Sequence, residues 1–198
     1  MSTRIGILLF DDAEELDFVG PFEVFTMARM VDPAFEVLTI APSPTPVVCA
    51  KGLRVIADRT MADAPPLDVL LVPGGQGTRR EVNNQATLDW IAGAARGCQW
   101  VTSVCTGSLL LAAAGPARDK RVTTHWGFVE ALRKRATARE VVEGARFVRD
   151  GNVVTSAGVS AGIDMALWLI GQLRDPAFAR KVQHLMEYYP APPYTAEV

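Results

Sequence analysis

Short apolar runs alternate along the chain with longer segments in which apolar residues recur at helical spacing. Four runs have the length and composition of buried parallel strands: residues 5–10, 35–40, 67–72 and 100–104. Helical patterns cover residues 16–30, 87–95, 106–114, 126–135, 160–173 and 176–188. This alternation predicts an α/β fold in one domain over residues 1–198, with helices on both faces of an open, mostly parallel sheet.

Two hairpins are predicted beside this alternation. One joins residues 47–48 to residues 53–56, where a short strand lies on each side of a glycine turn. The other joins residues 147–148 to residues 153–154 through the turn sequence Asp150-Gly151-Asn152.

The composition indicates a globular protein. Hydrophobic residues make up 49% of the 198 residues and charged residues 21%, which is enough apolar material for a core. A net charge of −2 without a basic stripe argues against nucleic acid as the main partner. No apolar run reaches the ~18 residues of a membrane span, and the first is too short for a signal peptide. We therefore expect no membrane partner and a cytoplasmic location.

The chain has three cysteines, which would stay reduced in the cytoplasm: Cys49, Cys98 and Cys105. Their spacing matches no zinc pattern, and only two histidines accompany them, so no metal site is predicted. Cys49 and Cys98 lie in no context that suggests reactivity.

Cys105 differs from the other cysteines because a strand runs directly into it and a helix starts at once. This is the layout of a nucleophile elbow. Ser103 and Gly107 are the small residues at i−2 and i+2 that let the backbone turn. The helix N-terminus favours thiolate over thiol, and the Thr106 N–H would point toward a developing negative charge. A buried structural cysteine is the alternative, and the surrounding pattern favours the reactive residue.

Two further segments lie at the carboxyl ends of predicted strands, where ligands bind in open α/β sheets. Gly74 and Gly75 either form an ordinary turn or bring backbone amides to a substrate beside Thr106. Asp17 lies between two apolar residues, and burial near the thiol would raise its proton affinity and suit it to general acid–base catalysis. Capping of the following helix is the alternative for Asp17.

The two histidines differ in their context. His125 follows a short predicted strand, and it either pairs with Cys105 or frames the pocket through a hydrogen bond. His184 lies on a late helix and is expected to be a surface or packing residue.

Sequence blocks in order along nearly the whole chain resemble proteins of the ThiJ/PfpI superfamily. These blocks are residues 16–25, 73–75, 103–107, 109–115, 123–126 and 157–164. The resemblance implies a flavodoxin-like sheet, a reactive cysteine at the elbow and a homodimer.

Within that superfamily, Asp17, Thr106 and the tail at residues 187–194 are similar to isonitrile hydratases, which convert an isocyanide into an N-substituted formamide. The resemblance implies that Cys105 attacks the isocyanide carbon to form a thioimidate, while Asp17 manages the protons and positions water. Thr106 and the glycine pair, Gly74 and Gly75, would orient the adduct. The candidate substrate-binding residues are Gly74, Gly75, His125 and Gly158. The resemblance implies a small isocyanide substrate and no metal or organic cofactor.

Other functions share parts of this pattern. The Cys-Thr-Gly and Thr-Thr-His-Trp blocks also occur in sensor domains of AraC-type regulators, whose helix-turn-helix domain is not expected within these 198 residues. If the chain is a redox or carbonyl-stress protein, Cys105 is oxidised or attacks aldehydes. Protease-like and some glyoxalase-like relatives have histidine directly after the cysteine, or have glutamate where this chain has Asp17. The presence of Thr106 and Asp17 therefore weakens both activities as hypotheses.

Overall fold

The computed structural model describes residues 2–191. The strands are β1 (Thr3–Leu8), β2 (Phe35–Ala41), β3 (Val47–Val48), β4 (Arg54–Val55), β5 (Arg59–Thr60), β6 (Val69–Val72), β7 (Trp100–Ser103), β8 (Arg121–Val122), β9 (Glu140–Val141), β10 (Phe147–Asp150) and β11 (Val153–Ser156). The helices are α1 (Glu15–Val31), α2 (Thr78–Glu81), α3 (Gln85–Ala95), α4 (Gly107–Ala114), α5 (Val129–Lys134), α6 (Ala161–Leu173) and α7 (Pro176–Leu185). A short 3-10 helix, Trp126–Phe128, precedes α5.

A central sheet organises these elements in the order β10-β11-β7-β6-β1-β2-β5. Every neighbouring pair is parallel except β10 and β11, which form an antiparallel hairpin at one edge. All side chains of β6 and β7 are buried, so both faces of the sheet are covered. The helices α1, α6 and α7 pack together, and α3, α4 and α5 form a second group. The predicted flavodoxin-like α/β fold is confirmed.

Most predicted elements are present with shifted ends. Both hairpins form, as β3 with β4 and as β10 with β11. The helix predicted from residue 126 begins as the 3-10 turn and becomes α-helical only at Val129. β5, α2 and the pairing between β8 and β9 could not be predicted, because two to four residues are too few for a hydrophobic period.

The parallel strands place several loops at one edge of the sheet. The chain after β1 leads into α1, β6 leads into Gly74, β7 leads into Cys105, and β11 leads into Gly158. Since β11, β7, β6 and β1 are consecutive neighbours, the four loops that carry the candidate residues meet there.

Two further features bear on the predictions. Among residues 2–191, no helix is long and apolar enough to cross a membrane. The tail pattern at residues 187–194 falls partly outside the described residues, which end at 191. The single domain over 1–198 stays a prediction.

Candidate active site

Cys105 lies on a sharp turn between β7 and α4. Its φ is 56°, a left-handed conformation that costs a non-glycine residue about 1–3 kcal/mol. Gly107 makes the turn possible, because a Cβ there would lie 2.2 Å from the carbonyl oxygen of Val72. The small residue expected at i+2 is therefore required by close approach to the neighbouring strand.

The backbone of Cys105 is held on both sides. Its N–H donates to the carbonyl oxygens of Ser156 and Ala157, each at 3.2 Å. Its carbonyl oxygen accepts the hydroxyl of Thr124 at 3.0 Å. The strained conformation is thus fixed by the end of β11 and by the loop after β8.

Asp17, the third residue of α1, is fully buried beside this turn. Its Oδ2 accepts the Gly74 N–H at 2.9 Å, so the carboxyl faces the β6 loop and does not cap its own helix. Its Oδ1 is buried and has no hydrogen-bond partner among the described residues. The Gly74 N–H therefore engages Oδ2, and the Cys105 thiol and the Val159 N–H interact with the carboxyl more weakly.

Burial controls the protonation of this pair. The pKa of Asp17 is raised from 3.8 to about 7, first by desolvation, against which the bond from Gly74 acts, and further by the charge of Glu14. The pKa of the Cys105 thiol is raised from 9.0 to about 12 by desolvation and by the charge of Asp17. Hydrogen bonds from Thr106 lower the pKa of the thiol, as the helix-terminus argument predicts, but burial outweighs them. At neutral pH the sulfur keeps its proton beside a half-ionised carboxyl.

Gly74 and Gly75 hold the helpers of Cys105 in place. A Cβ on Gly74 would lie 2.5 Å from the Thr106 nitrogen and 2.9 Å from Oδ2 of Asp17. The Gly75 N–H donates to Oγ1 of Thr106 at 3.0 Å. Both glycine amides thus have protein partners, and a direct contact of either amide with a substrate stays a prediction.

His125 and Gly158 lie at the other side of the site. Nδ1 of His125 accepts the Gly127 N–H at 3.1 Å, so a neutral ring carries its proton on Nε2. A Cβ on Gly158 would lie 2.3 Å from Cδ2 of His125, so only glycine leaves room for the ring. No hydrogen bond among the described residues joins His125 to Cys105. This favours the pocket-framing interpretation, while its contact with substrate stays a prediction.

A cavity of about 170 Å³ opens above Cys105. Its lining residues are Glu14, Gly75, Gln76, Arg79, Cys105, Thr106, His125, Phe128 and Val159. A groove of about 630 Å³ adjoins it and shares His125 and Val159 with it. Within residues 2–191 there is no group of three or more His, Cys, Asp or Glu side chains that could hold a metal ion.

Sequence reasoning missed several of these lining residues. Arg79 and Gln76 lie in a segment without a helical or strand period, and Phe128 was read only as part of a helix. Val159 has a φ of 53°, which is a strong departure for a β-branched residue and has no signature in the sequence. Glu14 occupies the N-cap position of α1 without a side-chain capping bond, and its carboxylate pairs with Lys51 instead.

Comparisons with known proteins agree with this architecture. The sequence profile of the DJ-1/PfpI family matches residues 3–172. The chain is 41% identical to the isonitrile hydratase of Pseudomonas putida, over 98% of this chain and 82% of that protein. It is 28% identical to the HTH-type transcriptional regulator GbdR of Pseudomonas aeruginosa, over 93% of this chain and 50% of the regulator. A crystal structure of a ThiJ/PfpI family protein from Pseudomonas syringae, 34% identical, superposes with a TM-score of 0.92, covering 100% of this chain and 80% of that one.

The close packing at Gly74 leads to a first prediction. Gly74→Ala should destabilise the fold by about 1–3 kcal/mol, because the new methyl group overlaps Thr106 and Asp17. Gly93→Ala is the matched control, because Gly93 lies within α3 and a Cβ there would have the Arg96 side chain as its nearest neighbour, at 3.7 Å. This substitution should stabilise the fold by about 0.5–1 kcal/mol. Urea unfolding of both variants measures the difference, and equal stabilities would contradict the packing.

The raised pKa of Asp17 leads to a second prediction, on stability. Well below pH 3.8 the carboxyl is protonated in both states, whereas above pH 7 it is ionised in both and only the folded protein bears the cost of a buried charge. Asp17→Asn should therefore be more stable than wild type at pH 8, by up to about 4 kcal/mol. The advantage should disappear as the pH falls from 7 to 4. Urea unfolding across this range tests it, and a variant less stable than wild type at pH 8 would refute the shift.

Proposed function

The chain belongs to the DJ-1/PfpI family, and we propose that it hydrates isocyanides, converting R–N≡C and water into R–NH–CHO at Cys105. The 41% identity to an isonitrile hydratase over 98% of the chain supports the reaction class. The observation that carries the proposal is the buried pair of Asp17 and Cys105, in which the thiol keeps its proton beside a carboxyl with a pKa of about 7.

The first step matches this protonation state. The terminal carbon of an isocyanide must gain both a nucleophile and a proton. Asp17 takes the thiol proton through Oδ1, and the sulfur of Cys105 bonds to the isocyanide carbon. Asp17 then delivers the proton to that carbon. The S–H bond is broken, the C–S and C–H bonds are formed, and the product is a thioimidate on the enzyme, R–N=CH–S–Cys105.

The second step uses the same carboxyl with water. Asp17 removes a proton from a water molecule that attacks the thioimidate carbon, and this proton passes to the substrate nitrogen. The tetrahedral intermediate then collapses, its C–S bond breaks, and the hydroxyl proton returns to the sulfur. The formamide leaves and Cys105 is again a thiol, so the cycle consumes only the isocyanide and water.

The other candidate residues have supporting roles in this proposal. The Thr106 N–H, close enough to lower the pKa of the thiol, stabilises charge on the sulfur as it forms and as it leaves. Gly74 and Gly75 orient Asp17 and Thr106 through their own N–H groups. His125 forms part of the wall against which the substrate lies, and Gly158 leaves room for its ring. No metal or organic cofactor takes part in either step.

A ligand-sensing role is the second candidate. The similarity to GbdR over 93% of this chain favours it, because that protein is a transcriptional regulator. In a sensor the same cavity would bind a small molecule without turnover. The redox alternative is weaker, because peroxide reacts with the thiolate and the pKa of Cys105 lies at about 12.

A homodimer and a cytoplasmic location complete the proposal. The three free cysteines suit a reducing compartment. The exposed outer side of α1 carries the apolar residues Leu16, Val19 and Met30, and Trp126 is 78% exposed close to the site. Large exposed apolar residues are typical of surfaces that another chain covers.

Turnover and its pH dependence test the hydratase. Formation of a formamide from a simple aromatic isocyanide should be abolished in Cys105→Ala and lowered about 10²–10⁴-fold in Asp17→Asn. In wild type, kcat/KM should rise with pH through about 7, as Asp17 loses its proton, and remain high above that. Cys98→Ala is the control, since Cys98 is buried away from the cavity.

Two outcomes would contradict the proposal, one its reaction and the other its nucleophile. Saturable binding of isocyanides without any formamide from the folded wild-type protein would favour the sensor. Equal rates in wild type and Cys105→Ala would exclude the cysteine as nucleophile.

Sedimentation velocity tests the homodimer. Wild type at micromolar concentration should sediment as a dimer, and Val19→Glu should shift it toward the monomer by placing a charge on the outer side of α1. Ile56→Glu, at a position 73% exposed between β4 and β5, should leave the dimer intact. A monomeric wild type would overturn the proposal.

A further inference from the structure

The mouth of the cavity determines which substituent an isocyanide can carry. The terminal carbon has to reach the sulfur of Cys105, so the substituent on nitrogen points away from it, toward the opening. The cavity of about 170 Å³ is smaller than the ~300 Å³ at the lower end of ordinary ligand pockets, so a larger substituent extends to the mouth. Gln76 and Arg79 are the exposed polar residues there.

The guanidinium of Arg79 is held at this opening. Its central carbon lies 4.7 Å from the centre of the Phe128 ring, a cation–π contact. Its Nη1 donates to the carbonyl oxygen of Gly75 at 3.2 Å. These two contacts fix the side chain between the β6 loop and the 3-10 helix on the rim of the cavity.

The guanidinium of Arg79 has hydrogen-bond donors without protein acceptors among the described residues. It has five N–H donors, and one of them has a protein acceptor within residues 2–191. No carboxylate in this part of the chain pairs with it. Its neighbour Arg80 contrasts with it, since Arg80 pairs with both Asp12 and Glu81.

The charges around Arg79 leave a positive mouth. Glu14 also lines the cavity, but its carboxylate is paired with the ammonium of Lys51. Asp17 is fully buried behind Cys105 and is bound to Gly74. Arg79 is therefore the uncompensated charge on the rim.

From this arrangement we infer that the site takes isocyanides whose N-substituent carries a carboxylate, and that Arg79 binds this group at the mouth. The inference rests on the proposed hydratase activity and adds a substrate class to it. A planar guanidinium with free parallel N–H groups matches a carboxylate in a bidentate pair. Arg79 is thus a specificity-determining residue, while Cys105 and Asp17 carry out the chemistry.

A matched pair of substrates tests the inference. 3-Isocyanopropanoate and 3-isocyanopropanamide have the same length and differ in charge. Wild type should prefer the carboxylate by about tenfold in kcat/KM, mainly through a lower KM, because a charge-assisted pair contributes binding that is the same in ground and transition states. The preference should shrink when salt rises from about 0.05 to 0.5 M, since the pair is exposed to solvent.

Variants identify the residue responsible. Arg79→Gln should bring the ratio of the two kcat/KM values down to about one, and Arg79→Lys should retain part of the preference as a point charge. Arg96→Gln removes the same charge from an exposed arginine at the end of α3, outside the cavity lining, and should leave the ratio at its wild-type value.

The possible results separate the two proposals. Turnover of both substrates by wild type at equal kcat/KM, or the same ratio in Arg79→Gln as in wild type, would overturn the carboxylate specificity and leave the hydratase intact. If the folded protein turned over neither of these substrates nor uncharged cyclohexyl isocyanide, the hydratase would be refuted and the substrate class with it.

Discussion

Oδ2 of Asp17, whose carboxyl has no solvent contact, accepts a backbone N–H from Gly74. The proposed chemistry of the site depends on this bond. Desolvation by burial raises the pKa of the carboxyl, and hydrogen bonds to its charged form lower that pKa. The bond from Gly74 is the largest of three interactions that act against burial, the other two coming from the Cys105 thiol and the Val159 N–H, and the resulting pKa is about 7. The bond also orients the group, so that Oδ1 is the oxygen left to exchange protons.

The sheet makes this bond possible by bringing two loops into register. β1 and β6 are parallel neighbours, and the loops after them are joined by an antiparallel bridge between Ala13 and Gly75 and by a bond from the Glu14 N–H to the Gly74 carbonyl. β7, on the other side of β6, ends in Cys105. A side chain at position 74 would push apart the loops that follow β1, β6 and β7, because its Cβ would overlap both Asp17 and Thr106. The geometry of the site is therefore a consequence of strand order together with one missing Cβ.

The parts of the site that sequence could predict are those that follow from strand ends. The run into Cys105 and the helix after it predicted the elbow, and the positions of Asp17 and Gly74 after predicted strands placed both at the edge of the sheet where ligands bind. Protonation could not be predicted in the same way. The helix terminus argues for a thiolate at Cys105, but burial and the charge of Asp17, which depend on packing by residues distant in sequence, raise the pKa of the thiol instead. Arg79 and Val159 could not be predicted either, because a rim position and a left-handed backbone have no period in the sequence.

The strain and burial at the site narrow its chemistry. Cys105 and Val159 line the same cavity and both have left-handed backbones, and Asp17 is a buried acid. Each of these features lowers the stability of the fold. The surrounding apolar core holds them in place. A peroxide sensor would gain little from this arrangement, since its cysteine needs exposure and a low pKa. An isocyanide, by contrast, must take up sulfur and a proton at the same carbon. The buried pair suits this reaction, because the thiol supplies both the sulfur and the proton, and the carboxyl can carry the proton between them without solvent. The protonation state of the pair thus favours addition to an isocyanide over oxidation of the sulfur.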